Sequence, residues 1–477
     1  MTSEWISRAG ALKRRYFPDR WELTALLVGG FLLIAYIVLQ VAKVKPELAA
    51  VGLGAVVAVL AAFLGGTLLC FPLYFATTLG AEIVVPGVPV SLNRAFAALL
   101  LLATMFDLFR HRIRLVPSLA LGFFVLFHLY FIPAAIILMP KWADYPVQPI
   151  FYLVPVAVLA LLFWREDRMR LLVAAMVAVT MLVLALPGLI EYVFRRDLVM
   201  WGLRRYGGRV DGFSKNAVLF GQATVWAIPF ALLLFVEARG AATRWAFATC
   251  ALVLMFCAIV TLNRQTPIIM AAQLGTFLLL VRYRHRAALL ATAIAGGLLA
   301  LPLIVAKLGD RFSTANSVIM DASLGYRHDK ILVAMEMWKE HFWFGIGHDH
   351  FHLLWREYIP KGKLVLIFDG VGRQWIDSGY IQIITEYGAI GAAIFVLLML
   401  STALLCGVSY ARSLRLESSW NTNMLAAIAA TFVQFLVANL ISDAFIMPRT
   451  LFTFGLLFAC ATAVELARRA MRDRASP

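Results

Sequence analysis

The chain has 477 residues, 62% of them hydrophobic and 15% charged, with a formal net charge of +16 and a mean hydropathy of +0.84. A soluble domain carries about 25% charged residues, so this balance excludes a soluble globular protein. Apolar runs of about 17 to 25 residues recur from Trp21 to Leu466, each long enough to cross a hydrocarbon core. They are continuous where barrel strands would alternate, which excludes a transmembrane β-barrel.

The first run, Trp21 to Ala42, follows the basic start "RAGALKRRYFPDR". It is too long for the apolar segment of a signal peptide and is read as a retained first helix. The expected spans are 22–42, 48–64, 67–80, 92–109, 115–138, 148–164 and 171–190, then 217–236, 245–262, 266–281 and 287–306, and finally 379–406, 422–441 and 450–466. The region 48–80 is divided only by Gly65 and Gly66. The result is an all-α polytopic bundle of about 12–14 helices. The five cysteines all lie within apolar runs and form no CxxC pair, so neither disulfides nor thiol chemistry is indicated.

Basic clusters set the orientation. They occur at Lys13–Arg15, Arg110–Arg114, Arg165–Arg170, Arg282–Arg286, Arg412 with Arg415, and in the tail "ARRAMRDR". All fall on one side if both termini are cytoplasmic. Two longer segments on the other side are also basic. Residues 191–216 hold Arg195, Arg196, Arg204, Arg205, Arg209 and Lys215, and the large loop 307–377 holds nine more Lys or Arg. Long loops are exempt from the orientation rule, so their charge implies either anionic lipid headgroups or a polyanionic ligand on the outer face. No nucleic-acid partner is expected.

Four stretches carry candidate chemistry. In "GGRVDGFSKN" (207–216) glycines permit close backbone approach, with Arg209 and Lys215 flanking the turn. In "TLNRQTP" (261–267) Arg264 lies between two apolar runs. It is either a snorkelling turn cation or a planar fork suited to phosphate. In the large loop, Ile331, Leu332, Met335 and Trp338 predict an amphipathic helix over 329–341. Arg327 sits near its start, His328 follows, and "GIG" ends it. Trp338, Phe342, Trp343 and Phe344 suit the membrane interface. His348, His350 and His352 alternate as on a strand. Such a face could hold Zn²⁺, but alternation in an external loop is more often a half-exposed strand and no fourth ligand is identifiable, so no metal is assigned.

The last stretch is "WIDSGYIQIITEYGAIG" (375–391), which opens a long apolar run. Ser378, Gln382, Thr385 and Glu386 recur at helical steps, a polar stripe that must face protein or a water-filled cavity. Tyr380 heads the apolar face, and Gly388 and Gly391 would allow close helix contact. Asp377 is either the N-cap of this helix or an interfacial carboxylate whose partial desolvation raises its pKa and suits it as a general base.

The order of these pieces resembles the O-antigen ligase and Wzy-type polysaccharide polymerase superfamily of bacterial inner membranes. The pieces are an "RxxGxF…N" loop, an Arg between helices, a large outer loop with "R…W…H…GIG…F", and a polar helix entrance of "ExGxxG" type. The resemblance implies a GT-C-like glycosyltransferase that uses an undecaprenyl-diphosphate-linked glycan as donor, without cofactor. It places the diphosphate on Arg209, Arg264 and Arg327, proton transfer on Asp377, His328 or His348, and the cavity lining on Tyr380, Gln382, Glu386 and Lys215. The core would be 191–391, with helices 1–190 before it and 392–477 after.

Ligases of this type carry His where this chain has Asp377, which favours a polymerase. A ligase acting on lipid A core or a protein is the alternative, and a lipid-linked oligosaccharide flippase is a further one. Against the flippase, no matching halves are found and polarity concentrates at the outer edge. Expected partners are the lipid-linked donor, a glycan or lipid A core acceptor, membrane lipids, and in a polymerase a chain-length-regulating protein.

This orientation puts 307–377 outside the cytoplasm. Cysteines introduced at Ser323 and Lys361 should react with an impermeant thiol reagent in intact spheroplasts. Labelling only after lysis would invert the topology.

Overall fold

The computed structural model describes residues 166–194, 210, 217–261, 263, 265–287, 316–347, 350–359, 376–415 and 419–441, with short helical runs between 70 and 130. The chain divides into two compact units, 1–66 and 67–477, and all described residues lie in the second. Among them no strand occurs. The protein is an all-α polytopic membrane protein. Five of its described helices are long and apolar enough to cross a bilayer: Met169–Val193, Phe220–Glu237, Ala241–Val260, Gly379–Ser413 and Ser419–Leu440. These fall on the spans expected at 171–190, 217–236, 245–262, 379–406 and 422–441. The spans expected at 22–42, 48–64, 148–164, 287–306 and 450–466 lie outside the described residues.

Helix α1 (Glu166–Thr180) runs through a π turn at Met181–Ala185 into α2 (Leu186–Phe194). The π turn directly precedes Pro187, whose ring has no N–H to donate and would crowd the carbonyl four residues earlier. The Cys257 thiol donates to the Ala185 carbonyl at this point. Helices α3 (Ala217–Glu237) and α4 (Ala241–Val260) form a hairpin, followed by α5 (Gln265–Leu280). The large loop expected over 307–377 supplies α6 (Asn316–Glu340) and the short α7 (Phe351–Leu354). Helices α8 (Gly379–Ser413) and α9 (Ser419–Ile441) complete the bundle.

Helices α3 and α9 are the interior members, and α4 turns Trp245 and Leu252 outward. Polar bonds knit the interior. The Gln273 amide donates to Gln434 Oε1 at 2.7 Å, and Gln434 donates to the Gln222 carbonyl at 2.9 Å. With both groups out of water, such bonds fix helix rotation. At the opposite end of the bundle Asn423 donates to Glu237 and accepts from the Arg282 backbone, while Arg170 lies over the Trp420 ring.

The span expected as one straight helix from 379 is broken. Gly388 sits at φ 66° and ψ −170°, outside helical geometry. A straight α-helix would set residues 380 and 395 about 22 Å apart, yet the Tyr380 and Phe395 rings lie 6.2 Å centroid to centroid. The arm 379–387 is therefore bent sharply against the spanning helix 389–413. The carbonyls freed by the break accept from the loop after α6: Ile346 N–H bonds Thr385 O at 3.0 Å and Gly347 N–H bonds Glu386 O at 2.9 Å. The freed N–H groups donate to the same loop, Ala389 to Phe342 O at 2.7 Å and Ile390 to Trp343 O at 3.2 Å. Gly345, at φ 73°, faces Gly388 backbone to backbone. Gly388 thus serves a chain break rather than helix contact alone; Gly391, by contrast, packs closely on Tyr130.

The loop helix also differs from expectation. It is longer than 329–341, and its buried face is Lys330, Val333, Ala334 and Met337. Residues 331, 332, 335 and 338 stay half exposed, because the packing partner is the arm of α8 and not the bilayer alone. His350 and His352 do not share a strand face: His350 precedes α7 and His352 lies within it. His348 lies outside the described residues.

Gly388→Ala should destabilise the folded protein by about 2 kcal/mol or more, since a left-handed non-glycine residue costs about 1–2 kcal/mol and its Cβ would meet backbone. Gly407→Ala, in the same helix with open space around a new Cβ, should be neutral or stabilising by up to about 1 kcal/mol. Thermal unfolding in detergent compares the two; equal midpoints would contradict the interlock.

Candidate active site

Helix α6 and the arm 379–387 run side by side in the same direction. Ala334 O accepts from Thr385 Oγ1 at 3.3 Å, and loop 342–347 meets the break beyond. Val333, Ala334, Met337, Ile346, Phe351, Trp355 and Ile376 form the apolar cluster between them, with Ile381 packed against it. At the near end of this seam Lys330 Nζ donates to Asp377 Oδ2 at 3.1 Å. The lysine side chain is 6% exposed and the aspartate 33%, so a nearly buried ammonium holds a carboxylate that still reaches solvent.

Asp377 is not the helix cap. That position belongs to Ser378, whose backbone is extended (φ −151°) and whose hydroxyl donates to the Asn439 carbonyl. Gly379 lies directly against the Asn439 side chain, and Tyr380 OH donates to Leu436 O at 3.0 Å. The head of the arm is thereby pinned to α9. The polar stripe is buried: Ser378, Gln382, Thr385 and Glu386 all face protein. Gln382 Nε2 donates to Glu386 Oε1 at 3.1 Å, one turn apart. Asp377 and Tyr380 keep partial exposure.

On α6, Arg327 is half buried one turn before Lys330, a spacing that puts the two on neighbouring positions of one face. His328 is 70% exposed, with Nδ1 3.7 Å from Asp329 Oδ1. Arg209, Lys215, Arg264 and His348 lie outside the described residues. The neighbours of Arg264, Asn263 and Gln265, are buried. Gly221 packs on Thr261 and Thr266 beside them. Gln434, bonded to Gln222 O, is about 8 Å along α9 from Asn439. Thr261, Asn263 and Thr266 are therefore at the same end of the bundle as Asp377.

Lys330 was the residue sequence reading missed. Its signal was its place in the apolar row with Val333, Ala334 and Met337, which makes it a cation on a buried face.

His350 Nδ1 lies 2.6 Å from the Ile346 carbonyl. Burial pushes the His352 imidazole below its ordinary value, partly opposed by the Glu386 carboxylate. Among the described residues no group of three or more His, Cys, Asp or Glu is placed to hold a metal. The chemistry assembled here is a half-exposed carboxylate held by a nearly buried ammonium, with a half-buried arginine one turn from that ammonium on α6. It is suited to accepting a proton beside an anionic ligand.

Residues 250–396 match the family model Wzy_C, described as O-antigen ligase. The match takes in Arg264, Arg327, His328, His348, Asp377 and both glycines of the break, and leaves out Arg209 and Lys215. No curated protein matches the chain.

Because folding depresses the His352 pKa, the unfolded chain binds more protons below about 6.5 than the folded one does. The stability contributed by neutral His352 is complete above that value and is lost as pH falls below it. Thermal midpoints measured from pH 7.5 to 5.5 should fall less steeply for His352→Gln than for the wild type. Parallel slopes would contradict the assignment.

Proposed function

From membership of the O-antigen ligase and Wzy-type polymerase superfamily, to which the chain belongs, we propose that it polymerises undecaprenyl-diphosphate-linked oligosaccharide repeats on the outer face of a bacterial inner membrane. The observation that carries this reading is the Asp377 carboxylate, partly exposed at the head of the bent arm and held by Lys330. The catalytic core is 191–391, and the flanking helices house the lipid.

In the reaction an acceptor sugar hydroxyl attacks the anomeric carbon of the donor glycan. A new C–O bond forms, the bond from that carbon to the diphosphate breaks, and undecaprenyl diphosphate leaves with the bonding pair. Asp377 takes the hydroxyl proton. Arg327, with Arg209 and Arg264, neutralises the charge that grows on the leaving diphosphate, where guanidinium forks fixed in advance act most strongly. His328, exposed and turned to Asp329, and His348 are the fallback proton acceptors.

Transfer to lipid A core is the second reading, favoured by the description of the matching family. Asp377, at the position where the ligase pattern carries His, favours the polymerase. Products separate the two: accumulated single repeats in a deletion strain indicate a polymerase, and long unattached glycan indicates a ligase.

Asp377→Asn tests the carboxylate. The change is almost isosteric and leaves the Ser378 cap in place, so the fold should persist. Loss of a general base costs about 10² to 10⁴ in rate. Polymer formed from purified lipid-linked repeat should fall by that factor at matched protein level and unchanged thermal midpoint. Activity within a few-fold of the wild type would reject Asp377 as the base and move the search to His328 and His348.

A further inference from the structure

The buried lysine calls for an explanation beyond packing. Removing an ammonium from water is costly, and a well-packed apolar pair holds two helices together as well or better. Lys330 nevertheless stands in the row Lys330, Val333, Ala334, Met337 that α6 packs on the arm, 5% exposed. Its Nζ meets one oxygen of a carboxylate that is otherwise open to solvent on about a third of its surface.

Helix α6 is also fixed at its far end. Its C-terminal loop is bonded through four backbone hydrogen bonds to the break at Gly388, and Thr385 bonds Ala334 midway. The helix therefore cannot slide along the arm without breaking those bonds, and the position of Nζ is set relative to Asp377 from two directions. A cation on a helix fixed in this way, bonded to a carboxylate on a pinned helix head, is an arrangement that orients the carboxylate.

We propose that Lys330 is a positioning residue for this reaction: it holds Asp377 Oδ2 so that the carboxylate is presented to the acceptor hydroxyl in one orientation. The inference rests on the reading of Asp377 as proton acceptor. Lys330 itself touches neither substrate, because it is nearly buried. Its loss should act on the chemical step and leave binding alone, since small misplacements of a reacting group cost up to about 10²-fold.

The test measures kcat and KM for donor in Asp377→Asn, Lys330→Gln and the double variant, reconstituted with purified lipid-linked repeat. Lys330→Gln should lower kcat about 10- to 100-fold with KM within about threefold. The double variant should be no slower than Asp377→Asn, because the effect of Lys330 on the rate runs through the Asp377 carboxylate. Wild-type kcat in Lys330→Gln, or losses that multiply in the double variant, would overturn the proposal. So would a change confined to KM or to the thermal midpoint.

The two failures are distinguishable. An active Asp377→Asn removes the base reading itself, whereas an inactive Asp377→Asn beside an active Lys330→Gln removes only the role of Lys330. Should Lys330→Gln not accumulate in the membrane, Lys330→Arg keeps the charge between the helices but places its donors elsewhere. A kcat loss at unchanged KM then supports the proposal, and wild-type kcat overturns it.

Discussion

A helix cannot break in a membrane protein unless the backbone groups it frees find partners, because lipid supplies none. At Gly388 the long helix α8 breaks, and the loop after α6 meets that demand with its own backbone. Two carbonyls of the arm are bonded by Ile346 and Gly347, and two N–H groups of the spanning helix by Phe342 and Trp343. The approach is so close that glycine is required on both sides, at 345 and 388. The large loop is thus anchored to the bundle by four backbone hydrogen bonds.

The rest of this end of the bundle follows from the interlock. Because the loop is fixed at 342–347, the preceding helix α6 must lie along the arm, and its buried face brings Lys330 to Asp377. Because the arm is bent, its head returns to α9, where Ser378, Gly379 and Tyr380 all engage the stretch from Leu436 to Asn439. The polar stripe of the arm is then enclosed by protein, where Gln382 donates to Glu386. Asp377 keeps partial exposure, with Arg327 one helical turn from its lysine. A half-exposed carboxylate and two cations of α6 end up at one end of the bundle.

The membrane class was legible from composition, and several spans from run length alone, because about 20 apolar residues have few other physical uses. Asp377 and the polar stripe were legible from helical spacing, and Arg327 from its place at the start of the loop helix. The break was not. Gly388 and Gly391 look alike in sequence, and only the loop's backbone distinguishes the one that bends from the one that packs on Tyr130. The buried face of α6 was misread for a related reason. Ile331, Leu332, Met335 and Trp338 form the more hydrophobic row, but the row containing Lys330 is the one buried, because the loop fixed at the break lays that face of α6 on the arm. The histidines gave no strand either, since His350 and His352, two residues apart, lie at the entry to and within a short helix.

The central claim is that the interlocked loop and arm frame the site of the lipid diphosphate. A photoactivatable polyprenyl-diphosphate glycan, cross-linked to the protein in native membranes and mapped by mass spectrometry, addresses it directly. The account predicts labelled peptides from 316–347 and 376–391, competed away by unlabelled lipid-linked repeat. Competable labelling confined to the opposite end of the bundle, around Arg170, Glu237 and Asn423, would contradict it.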